Sequence, residues 1–211
     1  PRIKRELDKS NIQSKFIRGL RVTDKSIINI VETVLIEFNE DIVSSLNKKS
    51  SKALSINTKK NNIITVTPES KELGFVGIPS KINIEVIKSA IKKNIIPIIS
   101  PLGIGVDNKT YNINGDTAAG AIAKSLKSRR LLLMTNVRGV LNSEKKLIEE
   151  ISSSEILDMI DKEIITEGMI PKINTCLDAV NNGVAAVGII DGREKHSILF
   201  EIFSDKGSGT L

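Results

Sequence analysis

Short apolar stretches alternate with amphipathic helical segments along this chain, and that alternation restricts it to a layered α/β fold with a largely parallel sheet. From Thr23-Asp24 to about Leu46, apolar residues recur at helical spacing through Ile27, Ile28, Val31, Val34, Leu35, Ile42 and Leu46. This predicts a long amphipathic helix with Asp24 near its start. Lys52 to Asn57 and Ile63 to Thr67, separated by the polar Thr58 to Asn62, read as a β-hairpin, and Gly74 to Gly77 as a further short strand. Helical spacing resumes from Ile84 to Lys93. Ile95 to Ser100 then forms a nearly continuous apolar run stopped by Pro101 and Gly103, as expected of a strand buried on both faces. Gly103-Ile-Gly105 reads as a loop leaving that strand. The second half continues with a helix from Asp116 to Leu126, a strand from Leu131 to Thr135, helices after Ser152 and Gly168, and a strand from Val184 to Ile190. In such folds, ligands bind beyond the carboxyl ends of the strands.

With 211 residues, 40% of them apolar, the chain can bury a real core. No run approaches the roughly 20 apolar residues of a membrane helix, so no spanning segment is expected. The single Cys176 excludes an intramolecular disulfide, and no CxxC pair offers a thiolate zinc site. The formal net charge of +6 would suit an anionic partner. Aromatic residues are only 3% and the lysines are scattered in pairs such as Lys48-Lys49 and Lys92-Lys93, which is not the stacking surface of a single-strand binder. No nucleic-acid partner is expected. The chain starts at Pro1, and Arg2 to Asn11 reads as a charged helix with no strand before it, so the sequence reads as cut rather than complete.

Four constellations carry chemical possibilities. Tyr111-Asn-Ile-Asn-Gly-Asp-Thr-Ala-Ala-Gly120 sets two amides and a carboxylate on a loop leading into an alanine-rich helix, with Asp116 where an N-cap belongs. Asp116 either caps that helix or holds cations around a phosphate, and Asn112 is either a turn residue or a substrate ligand. Ala121 stands where a Walker A loop demands lysine, so that motif is absent. In Glu167-Gly-Met-Ile-Pro-Lys172, Pro171 suits a helix's first turn, and Lys172 lies near the helix's positive end. The helix dipole does not favour a cation there, whereas a bound polyphosphate would. Leu131 to Leu141 is a buried strand followed by a polar turn, the expected place for a nucleotide. Arg21 either clamps a carboxylate through parallel hydrogen bonds or pairs with a local acid.

Gly19-Leu-Arg-Val-Thr-Asp24, Tyr111 to Ala123, Asn136-Val-Arg-Gly-Val-Leu141, Gly168-Met-Ile-Pro-Lys172 and Ile189-Ile-Asp-Gly-Arg193 stand in the order and approximate spacing of the acetylglutamate kinases. Through these five motifs the chain resembles that branch of the amino-acid kinase family from Pro1 to Leu211. The resemblance implies a three-layer α/β/α sandwich with a central, mainly parallel open sheet whose first strand is missing here. It implies an N-acetylglutamate-binding lobe over residues 1–128 and an ATP-binding lobe over 129–211, sharing one sheet. The implied reaction transfers the γ-phosphoryl group of ATP, with Mg2+ held mainly by the nucleotide, to the side-chain carboxylate of N-acetyl-L-glutamate in arginine biosynthesis.

By the same resemblance, Arg21 holds the substrate's α-carboxylate, Asn112 binds its amino-acid portion, Lys172 stabilises the transferring phosphoryl group and Asp116 orients the lysines. Asn136, Val137, Arg138, Gly139, Val140, Leu141, Ile164, Ile165 and Thr166 match the region around ATP, although the family usually has Asp where this chain has Asn136. His196 and Glu201 match a region that binds arginine as a feedback inhibitor. A homo-oligomer is implied, a hexamer at full length, and a PII-type signalling protein is a partner in some photosynthetic lineages. The family also has an upstream strand with a second phosphate-stabilising lysine and a glycine run, with Pro1 matching the proline just after it. On that expectation the fragment alone would be nearly inactive and poorly stable. A non-catalytic arginine-binding subunit of this fold, or a glutamate or carbamate kinase, is the alternative. An organelle-encoded protein of the plastid stroma and a bacterial cytoplasmic one fit the Ile- and Lys-rich composition equally.

Overall fold

The computed structural model describes residues 2–165, 169–204 and 209–210. In chain order these form α1 (Arg2–Lys9), β1 (Phe16–Ile17), β2 (Leu20–Arg21), α2 (Lys25–Lys48), β3 (Ala53–Ile56), β4 (Ile64–Pro68), β5 (Gly77–Ile82), α3 (Ile84–Lys92), β6 (Ile96–Ile99), β7 (Leu102–Gly105), β8 (Thr110–Asn112), α4 (Gly115–Leu126), β9 (Arg130–Thr135), α5 (Ser153–Asp161), α6 (Ile170–Asn181), β10 (Ala186–Asp191), α7 (Ser197–Phe203) and β11 (Gly209–Thr210). The chain divides into two compact units, residues 1–122 and 123–211. The division falls within α4, six residues ahead of the lobe boundary that the sequence suggests.

In the first unit, α2 is the organising helix. The Asp24 carboxylate accepts from the backbone N–H groups of Ser26 at 2.8 Å and Ile27 at 2.9 Å, satisfying donors that a helix start leaves open. Ile27 and Val31 then pack with Leu7 of α1 and Leu102 of β7 in one buried cluster. Burial of such side chains is worth about 1.5–3 kcal/mol each. The strand order β5-β4-β7-β8 puts β4 parallel to β7, with antiparallel strands on either side, while β3 pairs parallel with β6. In the second unit, β9 and β10 run parallel through six residue pairs and β11 lies antiparallel along β10. The layered α/β architecture expected from the alternating pattern is present.

Four local expectations need correction. Lys52 to Asn57 and Ile63 to Thr67 do not form a hairpin, because the intervening residues close a turn of their own. Asn57 Oδ1 accepts from the N–H groups of Lys59 and Lys60, and this turn sends β4 to pair with β5 and β7 while β3 pairs with β6. Gly74 to Gly77 is not a strand in itself: Thr23 and Gly74 form an isolated bridge, as do Val76 and Asn112, and the strand begins at Gly77. Gly103-Ile-Gly105 is not a loop but most of β7. A Cβ on Gly103 would lie 2.5 Å from Val66 Cγ1 and 3.0 Å from the Ile64 carbonyl oxygen, so glycine lets β7 approach β4. Finally, β6 is not buried on both faces. Among the described residues it pairs only with β3, and Ile96 is 46% exposed.

Glu32 joins α2 to the sheet. Its carboxylate accepts from the hydroxyls of Thr58 at 2.5 Å and Thr110 at 2.8 Å, Lys59 stands 3.3 Å away, and the side chain is 14% exposed. Burial by itself would raise its pKa, but these hydrogen bonds and the lysine together hold it below the ordinary carboxylate value. The resulting stability is fully present above the ordinary value of 4.5 and is lost as pH falls through the lowered folded value. Glu32→Gln should therefore melt below the parent at neutral pH, and the difference should close below about pH 4. Thermal melts of both proteins across pH 3 to 8 measure this, and a pH-independent gap would exclude the linkage.

Candidate functional site

In the first unit, two residues singled out from the sequence, Arg21 and Asn112, lie at neighbouring strand ends. Arg21 ends β2. Two residues on, the buried Thr23 donates its N–H to the Leu73 carbonyl at 3.0 Å and accepts from the Phe75 N–H at 2.7 Å. The Phe75 carbonyl in turn accepts from the Asn112 N–H at 2.9 Å. The segment Leu73 to Val76 thus stitches the end of β2 to the end of β8, bringing Arg21 and Asn112 onto one rim. Packing of the Phe75 and Tyr111 rings, with centroids 5.6 Å apart, supports the same seam.

The Arg21 guanidinium is half-buried, with its carbon 4.7 Å from the Phe16 ring centroid, and one of its nitrogens donates to the Ser14 hydroxyl. Burial lowers its pKa from the ordinary value. Among the described residues Arg21 makes no ion pair, so pairing with a local acid does not account for its placement. A guanidinium held by a ring face and a hydroxyl, with its charge uncompensated, is suited to a ligand carboxylate.

Asp116 is not the N-cap of α4. That task falls to Asn114, whose Oδ1 accepts from the N–H groups of Asp116 at 2.9 Å and Thr117 at 3.1 Å. Asp116 instead occupies the first turn, half-buried, where a carboxylate complements the helix dipole.

In the second unit, the turn after β9 folds back as a short hairpin. Leu141 bridges Leu147, and Asn142 Oδ1 accepts from the N–H groups of Glu144 and Lys146. This turn and the residues after α5 enclose a cavity of about 490 Å³ lined by Val137, Gly139, Val140, Leu141, Ile164 and Ile165. All six were singled out from the sequence. Asn142, Ser143, Lys145 and Met169 complete the lining and were missed. Asn142 carried a signal, since an asparagine closing a polar turn commonly bonds backbone two residues on. Asn136 and Arg138 are exposed on the turn outside this lining, and Thr166 falls outside the described residues. The volume and the mostly aliphatic walls suit a flat heteroaromatic ring.

Lys172 lies in the first turn of α6, half-buried, with Pro171 beside it; Met169 at the cap position supplies no side-chain hydrogen bond. Among the described residues, no side chain caps the backbone N–H groups at this helix start, where an anion would be favoured. At the carboxyl end of β10, Arg193 grips the buried Asp191 with Nε at 2.9 Å and a terminal nitrogen at 2.7 Å. These hydrogen bonds, with the nearby charge of Arg138, pull the Asp191 pKa down to about 2. Asp191 pairs with Thr135 across the sheet, so this clamp sits one residue from Asn136. The two residues that the resemblance links to arginine differ in setting. His196 is exposed at the start of α7 with φ of 64°, whereas Glu201 is buried, and its carbonyl accepts from Arg130 at 3.1 Å.

Known proteins align with this arrangement along the whole chain. The amino acid kinase family matches residues 1–191. An acetylglutamate kinase of Pelagibacter ubique (strain HTCC1062) is 60% identical over 210 residues, covering 100% of this chain and 73% of that protein. The acetylglutamate kinase of Clostridioides difficile (strain 630) is 47% identical, covering 99% of this chain and 75% of its own length. Among solved structures, smu.665 from Streptococcus mutans UA159 superposes with a TM-score of 0.82 at 32% identity, over 90% of this chain and 78% of that one. The N-acetylglutamate synthase of Neisseria gonorrhoeae, complexed with coenzyme A and N-acetyl-glutamate, shares the fold at a TM-score of 0.88 and 23% identity, over 99% of this chain and 48% of that one. With the family match extending from α1 to the end of β10, the chain belongs to the amino acid kinase family and, within it, to the acetylglutamate kinases.

Proposed function

We propose that the protein to which this chain belongs catalyses ATP-dependent phosphorylation of the side-chain carboxylate of N-acetyl-L-glutamate, giving the 5-acyl phosphate used in arginine biosynthesis. The observation that carries this reading is the 60% identity, across the full chain, to a protein named for that reaction. That likeness favours acetylglutamate over glutamate or carbamate as acceptor, and an enzyme over a non-catalytic subunit.

The chemistry requires a carboxylate to approach a polyphosphate. Like charges at 4 Å repel by about 4 kcal/mol at an effective dielectric near 20, so fixed cations and aligned donors must offset this. Arg21 would take the substrate's α-carboxylate, with Phe16 and Ser14 holding the guanidinium in place. Asn112 would bind the amino-acid portion from the adjoining strand end. Asp116 would organise cationic groups about the phosphate. Lys172 and the backbone N–H groups at the start of α6 would take up charge on the transferring phosphoryl group, while the cavity behind Val140 would receive the base. Mg2+ would be carried mainly by the nucleotide's own phosphates, since this ion keeps several waters and is commonly bound through substrate phosphates.

The test is ADP release measured with and without N-acetyl-L-glutamate. Release that depends on acetylglutamate, and not on glutamate or carbamate, supports the assignment. Equal release with glutamate would overturn it.

A further inference from the structure

One wall of the nucleotide cavity is held from the end of the chain. The Thr210 hydroxyl accepts from the Val140 N–H at 2.8 Å and donates to the Ile148 carbonyl at 2.6 Å. The Ile148 N–H donates to the Val140 carbonyl at 2.9 Å, so the hydroxyl closes a ring joining both arms of the hairpin after β9. Thr210 is 4% exposed, and its backbone pairs with Ile189 of β10. Gly139 adopts φ of +147°, and a Cβ there would lie 2.6 Å from the Thr210 hydroxyl oxygen. The turn therefore approaches β11 as closely as a residue without a side chain allows. Val140 is itself 2% exposed and lines both the nucleotide cavity and a second cavity of about 610 Å³, which Thr210 also lines. Val140 is thus a thin partition between two spaces, and the Thr210 hydroxyl bonds its backbone.

We infer that Thr210 is a positioning residue for the nucleotide site: its hydroxyl fixes Val140, and with it the wall against which the base rests. This rests on reading the 490 Å³ cavity as the nucleotide site. The role needs one group that both donates and accepts. Valine has the right shape but would leave the buried Val140 N–H without its acceptor, a costly loss for a buried donor. Serine keeps the hydroxyl.

The experiment compares Thr210→Val and Thr210→Ser in the full chain by steady-state kinetics in both substrates. Thr210→Val should raise the KM for ATP about ten-fold, the loss of roughly one buried hydrogen bond, and change that for acetylglutamate less than two-fold. Thr210→Ser should stay within two-fold of the parent in both. An ATP KM unchanged in the valine variant, a parallel rise in both KM values, or a ten-fold rise in the serine variant overturns the proposal. Should the valine variant not fold, amide exchange at Val140 decides in the parent and serine proteins. ATP should slow exchange in both, and absence of protection overturns the inference. Leu141→Asp tests the underlying reading separately, because Leu141 lines the same cavity and is 38% exposed. An unchanged ATP KM in Leu141→Asp removes the cavity as the nucleotide site and the proposal with it. Impaired ATP binding there beside an unaffected Thr210→Val overturns the proposal alone.

Discussion

Replacing Lys172 by methionine is expected to lower kcat roughly 10²- to 10³-fold, the usual consequence of removing one preorganised charge-stabilising group. Methionine keeps the length of the aliphatic stem and loses only the cation, so packing at the start of α6 should survive. Because phosphoryl transfer places its charge on the moving group in the transition state, the loss should fall on kcat and leave the KM for acetylglutamate within about three-fold. The dipole of α6 does not favour a lysine in this first turn, whereas a bound polyphosphate would, and Met169 at the cap position makes no side-chain hydrogen bond to the helix start. A methionine variant that retains more than about a tenth of parental turnover would remove Lys172 from the chemistry.

Arg21→Lys should instead act on binding. The guanidinium is planar, lies 4.7 Å from the centroid of the Phe16 ring and donates to Ser14, so the orientation it offers a ligand is preset. Lysine preserves the charge but loses the paired donors and the stacking plane. Charge-assisted hydrogen bonds contribute about 1.5–3 kcal/mol, so the KM for acetylglutamate should rise roughly 10- to 100-fold with little change in that for ATP. Initial-rate kinetics with each substrate varied in turn measures the asymmetry. If the two KM values rise together, Arg21 supports the fold and does not select a substrate.

What could be read from the sequence depended on whether the determinants were local. The span and cap of α2 were visible because Asp24 and the spacing of Ile27, Ile28, Val31 and Val34 lie within one helix. The cavity-lining residues around Val140 were found through a motif whose members are close in sequence. The sequence could not decide whether Asp116 caps α4, because Asn114 and Asp116 are both suitable residue types and only the backbone path decides which side-chain oxygen faces the helix start. The Thr210 hydroxyl was missed for a different reason. Nothing in a C-terminal Gly-Thr pair shows that it meets Val140, seventy residues earlier in the chain.

The pairing of β3 with β6 also bears on how the first unit assembles. Had Lys52 to Thr67 been a hairpin, its hydrogen bonds could have closed as soon as those residues met. Instead Ala53 must wait for Ile96, with β4, β5 and α3 lying between them in the chain. Such a pairing incurs the entropy of a long loop before any ladder bond forms, which slows folding and lengthens the lifetime of unpaired strand edges. During synthesis, β3 therefore leaves the ribosome well before its partner and needs shielding from intermolecular strand addition in that interval.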